Sequence, residues 1–86
     1  MPMLDVEYDR KAVRKLRKIP TEQAERILMK IESLRMIPFP ADAVRVIHQP
    51  EMIFRIRVGD MRVQYRVFRQ TLFITSIEKR SKAYQF

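Results

Sequence analysis

Between Met3 and Tyr8 apolar and polar residues alternate, Leu4, Val6 and Tyr8 facing one way and Asp5, Glu7 and Asp9 the other. A period of two over that length marks a strand with one wet face. At Asp9, a good N-cap, the period changes. Val13, Leu16 and Ile19 recur at helical spacing while Arg10, Lys11, Arg14, Lys15, Arg17 and Lys18 fill the remaining surface. Pro20 ends this short basic helix. A second helix is predicted from about Thr21, burying Ala24, Ile27, Leu28, Ile31 and Leu34, until Pro38 and Pro40 forbid its continuation. The two form a helical hairpin, with Met29 and Met36 expected to fill gaps beneath it.

Beyond the Pro38-Phe39-Pro40 break the chain reads as strands: Val44 to Ile47, Met52 to Val58, Met61 to Phe68 and Leu72 to Ile77. Pro50, Gly59-Asp60 and Arg69-Gln70 separate them, which predicts an antiparallel meander. Its apolar face needs a cover and the helical hairpin has an apolar stripe to offer. The expected fold class is therefore α+β, two layers, with the N-terminal strand and helical hairpin packed on the antiparallel β-meander. With 86 residues there is room for a single domain, 1–86.

Composition narrows the function more than the fold. A hydrophobic fraction of 47% beside 33% charged residues is that of a water-soluble globular domain, and no apolar run approaches the roughly 20 residues of a bilayer span. The first residues hold acids where a secretory signal would hold lysines, so a cytoplasmic location is expected and no membrane partner. Without cysteine, and with one histidine, His48, disulfide, thiolate and zinc chemistry are not expected. Neither a metal site nor a cofactor is predicted. The net charge of +8 points to a polyanionic partner. Residues 1 to 43 carry nine basic and seven acidic side chains, a net of +2, and residues 44 to 86 carry nine and three, a net of +6.

The chemistry gathers around Gly59-Asp60. Glycine at the first position of a two-residue loop suits a type II′ or I′ hairpin and fixes the register of its strands. Val58 then pairs with Met61, Arg57 with Arg62, Ile56 with Val63, Arg55 with Gln64, Phe54 with Tyr65 and Ile53 with Arg66. One face collects Phe54, Ile56, Val63, Tyr65 and Val67; the other collects Arg55, Arg57, Arg62 and Arg66. Arginines directly opposite each other repel by a few tenths to ~1 kcal/mol, and a bound phosphate reverses that sign. A solvated basic face is the plain alternative.

Arg80, Lys82 and Tyr84 follow the last strand and would emerge near Arg57 and Arg62 if that strand lies beside Met61 to Phe68. Fixed cations with a phenol are ingredients for RNA cleavage in which the substrate's own 2′-OH attacks, the arginines stabilise the phosphorane-like charge and the phenol exchanges a proton. Tyr84 would serve equally as a base-stacking platform or pack over the sheet. Weaker candidates are Asp5, Glu7 and Asp9 as cation ligands, His48 as an acid or base, and the basic first helix as a membrane or phosphate contact.

The segment FRIRVGDMRVQYRV, followed by EKRSKAY, resembles the RelE/ParE superfamily of small basic toxins, and the RelE branch in particular. The likeness covers nearly the whole chain. It implies a RelE-like toxin of a type II toxin–antitoxin pair, an mRNA interferase that enters the ribosomal decoding site, cuts mRNA and halts translation until an acidic RelB-like antitoxin neutralises it. Carried onto this chain, the resemblance implies a catalytic set of Arg62, Arg80 and Tyr84, with Arg55, Arg57 and Lys82 binding RNA; Arg66, on the same strand face, is expected to bind RNA with them. Met61 stands where many members have an aromatic residue, and Arg55 and Arg57 where some have lysines. ParE-like members of the same superfamily inhibit DNA gyrase without cleaving RNA, so a gyrase-inhibiting toxin is the rival reading, and a degenerate homologue that binds RNA or ribosomes without cutting is a third.

Overall fold

A computed structural model of the chain describes residues 3–79. Within them run β1 (Asp5–Tyr8), α1 (Arg10–Lys18), α2 (Thr21–Met36), β2 (Val44–Arg45), β3 (Phe54–Val58), β4 (Met61–Phe68) and β5 (Thr71–Lys79). The strands form one sheet in the order β1-β5-β4-β3-β2. The meander is antiparallel throughout, but β1 lies parallel to β5, pairing Val6 with Leu72 and Tyr8 with Ile74, so the sheet is mixed. The helical hairpin carries the chain across one face from the β1 edge to the β2 edge, and the α+β two-layer expectation holds.

Each boundary has a local cause. Asp9 caps α1, its Oδ1 accepting the Lys11 N–H at 2.9 Å. The first strand starts at Asp5 rather than Met3 because the backbone of Leu4 is engaged by the end of α2. The Leu4 N–H donates to the Arg35 carbonyl at 3.0 Å, and the Arg35 Nε–H donates to the Leu4 carbonyl at 2.7 Å. Only at Asp5, whose N–H reaches the Gln70 carbonyl at 2.8 Å, does the ladder to β5 begin. The predicted strand Val44 to Ile47 shortens to two residues because His48 turns the chain with a left-handed φ of 67°. β3 starts at Phe54 rather than Met52, after a tight turn closed by the Ile53 N–H on the Glu51 carbonyl.

The core lies between the layers and is built from Ala12 of α1, Ile27, Ile31 and Leu34 of α2, and Ile56, Met61, Val63, Tyr65, Leu72, Ile74 and Ile77 of the sheet. Two features of the helices depart from expectation. On α1 the fully buried residue is Ala12, with Leu16 and Ile19 packed at the margin, because the helix lies low against β5 and only a small side chain fits there. On α2 the buried stripe is narrower than predicted. Leu28 faces outward, and Met29 and Met36, expected to fill the core, are 73% and 64% exposed. Ile27, Ile31 and Leu34 already fill the space over the sheet, and positions two residues further round a helix point away from it.

Candidate functional site: the outer face of the sheet

The hairpin at Gly59-Asp60 sets the site. Gly59 takes the positive φ of 62° that its loop position needs, while Asp60 does not, which fits the type II′ alternative. Helix α2 braces this hairpin: Gln23 Nε2 donates to Asp60 Oδ1 at 2.7 Å and the Arg26 guanidinium lies over Gly59. The register from Val58–Met61 to Phe54–Tyr65 is as expected, and Arg57 stands opposite Arg62. The ladder stops one pair short of Ile53–Arg66. Phe54, Ile56, Val63 and Tyr65 turn toward the helices, so Arg55, Arg57, Arg62 and Arg66 share the outer face.

The four arginines are not alike. Arg62 is only 4% exposed. Its ladder neighbours are Arg57 on β3 and Glu78 on β5, so the row across the sheet reads cation, cation, anion. The repulsion inferred from Arg57 and Arg62 alone is therefore offset from the other side, because a buried cation needs an opposing charge nearby. A bound anion is not required to account for the pair. Arg66 also has a partner, its Nε lying 3.1 Å from Glu51 Oε2. Arg55 and the exposed Arg57 line a pocket of about 180 Å³ with Asp42, Val44 and Ile56. The acid in this pocket is committed elsewhere: Lys30 Nζ lies 3.0 Å from Asp42 Oδ2 and holds that carboxyl below its usual pKa. Cationic side chains thus dominate the rim of this pocket.

Sequence reasoning missed Glu78. It ended the last strand at Ile77, whereas β5 runs to Lys79 through a bulge at which Gln64 pairs with Ser76 and Tyr65 with Ile74, leaving Thr75 over. Thr75 Oγ1 donates to the Gln64 carbonyl at 3.1 Å. The bulge keeps Ile74 and Ile77 both on the core side and puts Glu78 beside Arg62. Two apolar residues three apart in a strand-like stretch, Ile74 and Ile77, are the sequence signal for it.

Arg80, Lys82 and Tyr84 lie outside the described residues. Tyr65 lies inside them and is no proton shuttle: its hydroxyl donates to the Pro38 carbonyl at 2.7 Å, and burial, with Asp42 nearby, pushes its pKa up to about 12. Asp5, Glu7 and Asp9 do not converge, since Asp9 caps α1 while Asp5 and Glu7 stay on exposed β1. Among the described residues no group of side chains is arranged to hold a metal, and no helix is long and apolar enough to cross a membrane.

The family described as "ParE toxin of type II toxin-antitoxin system, parDE" matches residues 6–84. The chain belongs to the ParE toxin family, within the RelE/ParE superfamily. Among solved structures, a chain of the archaeal RelE–RelB complex from Pyrococcus horikoshii OT3 is similar at a TM-score of 0.81 and 23% identity, covering 94% of this chain and 99% of that one. The isolated E. coli RelE toxin is similar at 0.75 and 19% identity, covering 88% and 83%. A chain of the chromosomal ParDE system from P. aeruginosa reaches 0.68 at 19% identity, covering 90% and 96%. No curated protein matches significantly by sequence. At these identities the likeness to solved structures establishes a shared fold.

Proposed function

We propose that this toxin is an mRNA interferase that acts on translating ribosomes in the cytoplasm. The observation that carries the reading is the row Arg57–Arg62–Glu78 next to the pocket lined by Arg55 and Arg57: a buried guanidinium standing between an exposed cation and an acid. A guanidinium that is already oriented binds phosphate oxygens through two parallel hydrogen bonds and needs little reorganisation when charge builds up. In the reaction the 2′-oxygen of the substrate forms a bond to the adjacent phosphorus as the bond from phosphorus to the 5′-oxygen breaks. The hydroxyl proton passes to a base and a proton is delivered to the leaving oxygen. Arg62 and Arg80 stabilise the charged phosphorus centre, Tyr84 exchanges a proton, and Arg55, Arg57, Arg66 and Lys82 hold the RNA backbone.

A toxin of this kind needs a neutralising partner. We assign it an acidic antitoxin whose amphipathic segment lies over the exposed apolar side of α2, at Leu28, Met29 and Met36, and reaches the basic outer face. Support comes from relatives of this fold whose structures are RelE–RelB complexes.

One observation favours a second reading. The matching family is that of ParE, and a gyrase-inhibiting toxin would use the same basic face for binding alone. Primer extension on an mRNA translated in a reconstituted system separates the two, with wild-type protein and Tyr84→Phe compared in the presence and absence of ribosomes. Cuts that need ribosomes and fade in the variant establish the interferase. No cuts, together with inhibition of gyrase supercoiling, establish the alternative.

A further inference from the structure

The outer face has a second end, about 20 Å along β4 from Arg62 at roughly 3.3 Å per residue. There the Arg66 guanidinium lies 4.5 Å from the Phe73 ring centroid and 6.0 Å from that of Phe68, and the Arg69 guanidinium lies 5.3 Å from Phe68. Rings and cations alternate in one column. Arg66 is tied at the other side to Glu51, which fixes the column's centre. Phe68, at its outer end, is 54% exposed.

Core packing gives no reason for Phe68 and Arg69 to stand here, even though the contacts of Arg66 add to stability. A large exposed aromatic adds little to a core it does not enter. Arg69 occupies the hairpin with a φ of 57°, a left-handed conformation that glycine adopts without strain and arginine does not. That strained backbone places a guanidinium beside Phe68.

We propose that Phe68, flanked by Arg66 and Arg69, is a stacking platform for an unpaired base of single-stranded RNA, holding a nucleotide that flanks the scissile bond. The proposal rests on the interferase reading for the identity of its ligand. Alternating π-faces and cations match the alternating bases and phosphates of a single strand, whereas a protein partner has no such repeat. Asp5 and Glu7 on the neighbouring edge strand β1, where Glu7 pairs with Phe73, repel phosphate and confine the strand to the β3–β5 side. The platform would thereby influence which codon position is presented to Arg62.

The test uses the full chain and a short single-stranded RNA carrying 2-aminopurine at one position at a time. Stacking on Phe68 is expected to quench the probe at one position, and Phe68→Leu to abolish that quench and weaken binding about five- to tenfold. Phe68→Tyr, which keeps the ring, should restore both. An abasic nucleotide at the same position should weaken the wild type to a similar degree and leave Phe68→Leu unchanged. Equal abasic effects in both proteins overturn the platform, as does a Phe68→Leu variant that binds RNA normally but loses its antitoxin. Quenching without ribosomal cleavage leaves the platform standing and removes the nuclease; cleavage without quenching does the reverse.

Discussion

Strand β4 is entered and left through hairpins that make the same demand on the backbone and answer it differently. Gly59 supplies a φ of 62° at one end; Arg69 supplies 57° at the other. The first end is relaxed, braced by Gln23 and Arg26 of α2, and sets the register of the arginine row. The second accepts strain and gains a guanidinium over an exposed ring. One strand thus carries an end where guanidinium and carboxylate stand side by side and an aromatic end, and neighbours rather than residue type distinguish the two: Arg62 sits beside Glu78, Arg66 beside Glu51 and Phe73.

The largest expected effect is at the first end. Arg62→Ala should cut ribosome-dependent cleavage by on the order of 10² to 10³ while far-UV circular dichroism stays native. Arg66→Ala should lower cleavage less than tenfold, with a stability loss of about 1 kcal/mol in urea titration from the missing ion pair and ring contact. Similar losses of cleavage in both variants would break the division between the two ends.

Midway along the strand, Tyr65 should report on the fold alone. Its folded pKa of about 12 lies above the ordinary 10.0, so the unfolded chain ionises first as pH rises. Its contribution is complete below pH 10 and is lost as pH climbs through 12, on the order of 2 kcal/mol over that window. Tyr65→Phe should flatten that alkaline loss in urea titrations at stepped pH and leave the pH dependence of cleavage unmoved. A changed cleavage profile would bring Tyr65 into the chemistry.

The smallest effects sharpen the contrast between the hairpins. Gly59→Ala should cost about 1 kcal/mol and Arg69→Gly should stabilise by a similar amount, both read from urea midpoints. The same Arg69→Gly protein should bind single-stranded RNA more weakly. A destabilised Arg69→Gly would show that the second hairpin is not strained.

Where a feature depends on nearby residues, it was legible in advance. Asp9 marked its helix, and Gly59-Asp60 gave five correct cross-strand pairs and so the shared face of Arg55, Arg57 and Arg62. Features set by distant partners were not. Apolarity named Met29 and Met36 as core, but how wide a stripe a sheet can cover depends on the width of the sheet. Nothing local announces that Leu4 will give its backbone to Arg35, that β1 runs parallel to β5, or that Glu51 will reach Arg66 from a loop. Glu78 was lost through one extra residue, Thr75, because a bulge shifts every later side chain to the opposite face.

The parallel pairing of β1 with β5 also orders events in time. Residues 5–8 find their ladder partners in residues 71–74, so the first strand made must wait for the last. The β3–β4–β5 meander joins segments close in sequence and can form early, whereas this closure spans most of the chain and is entropically slow. A nascent chain lacking β5 has nothing to join β1 to β4 and the rest of the sheet. While β5 is still being synthesised, the partly made chain has its helices and the β3–β4 hairpin but no closed sheet, and the outer face is completed only after its own message has been read through that strand.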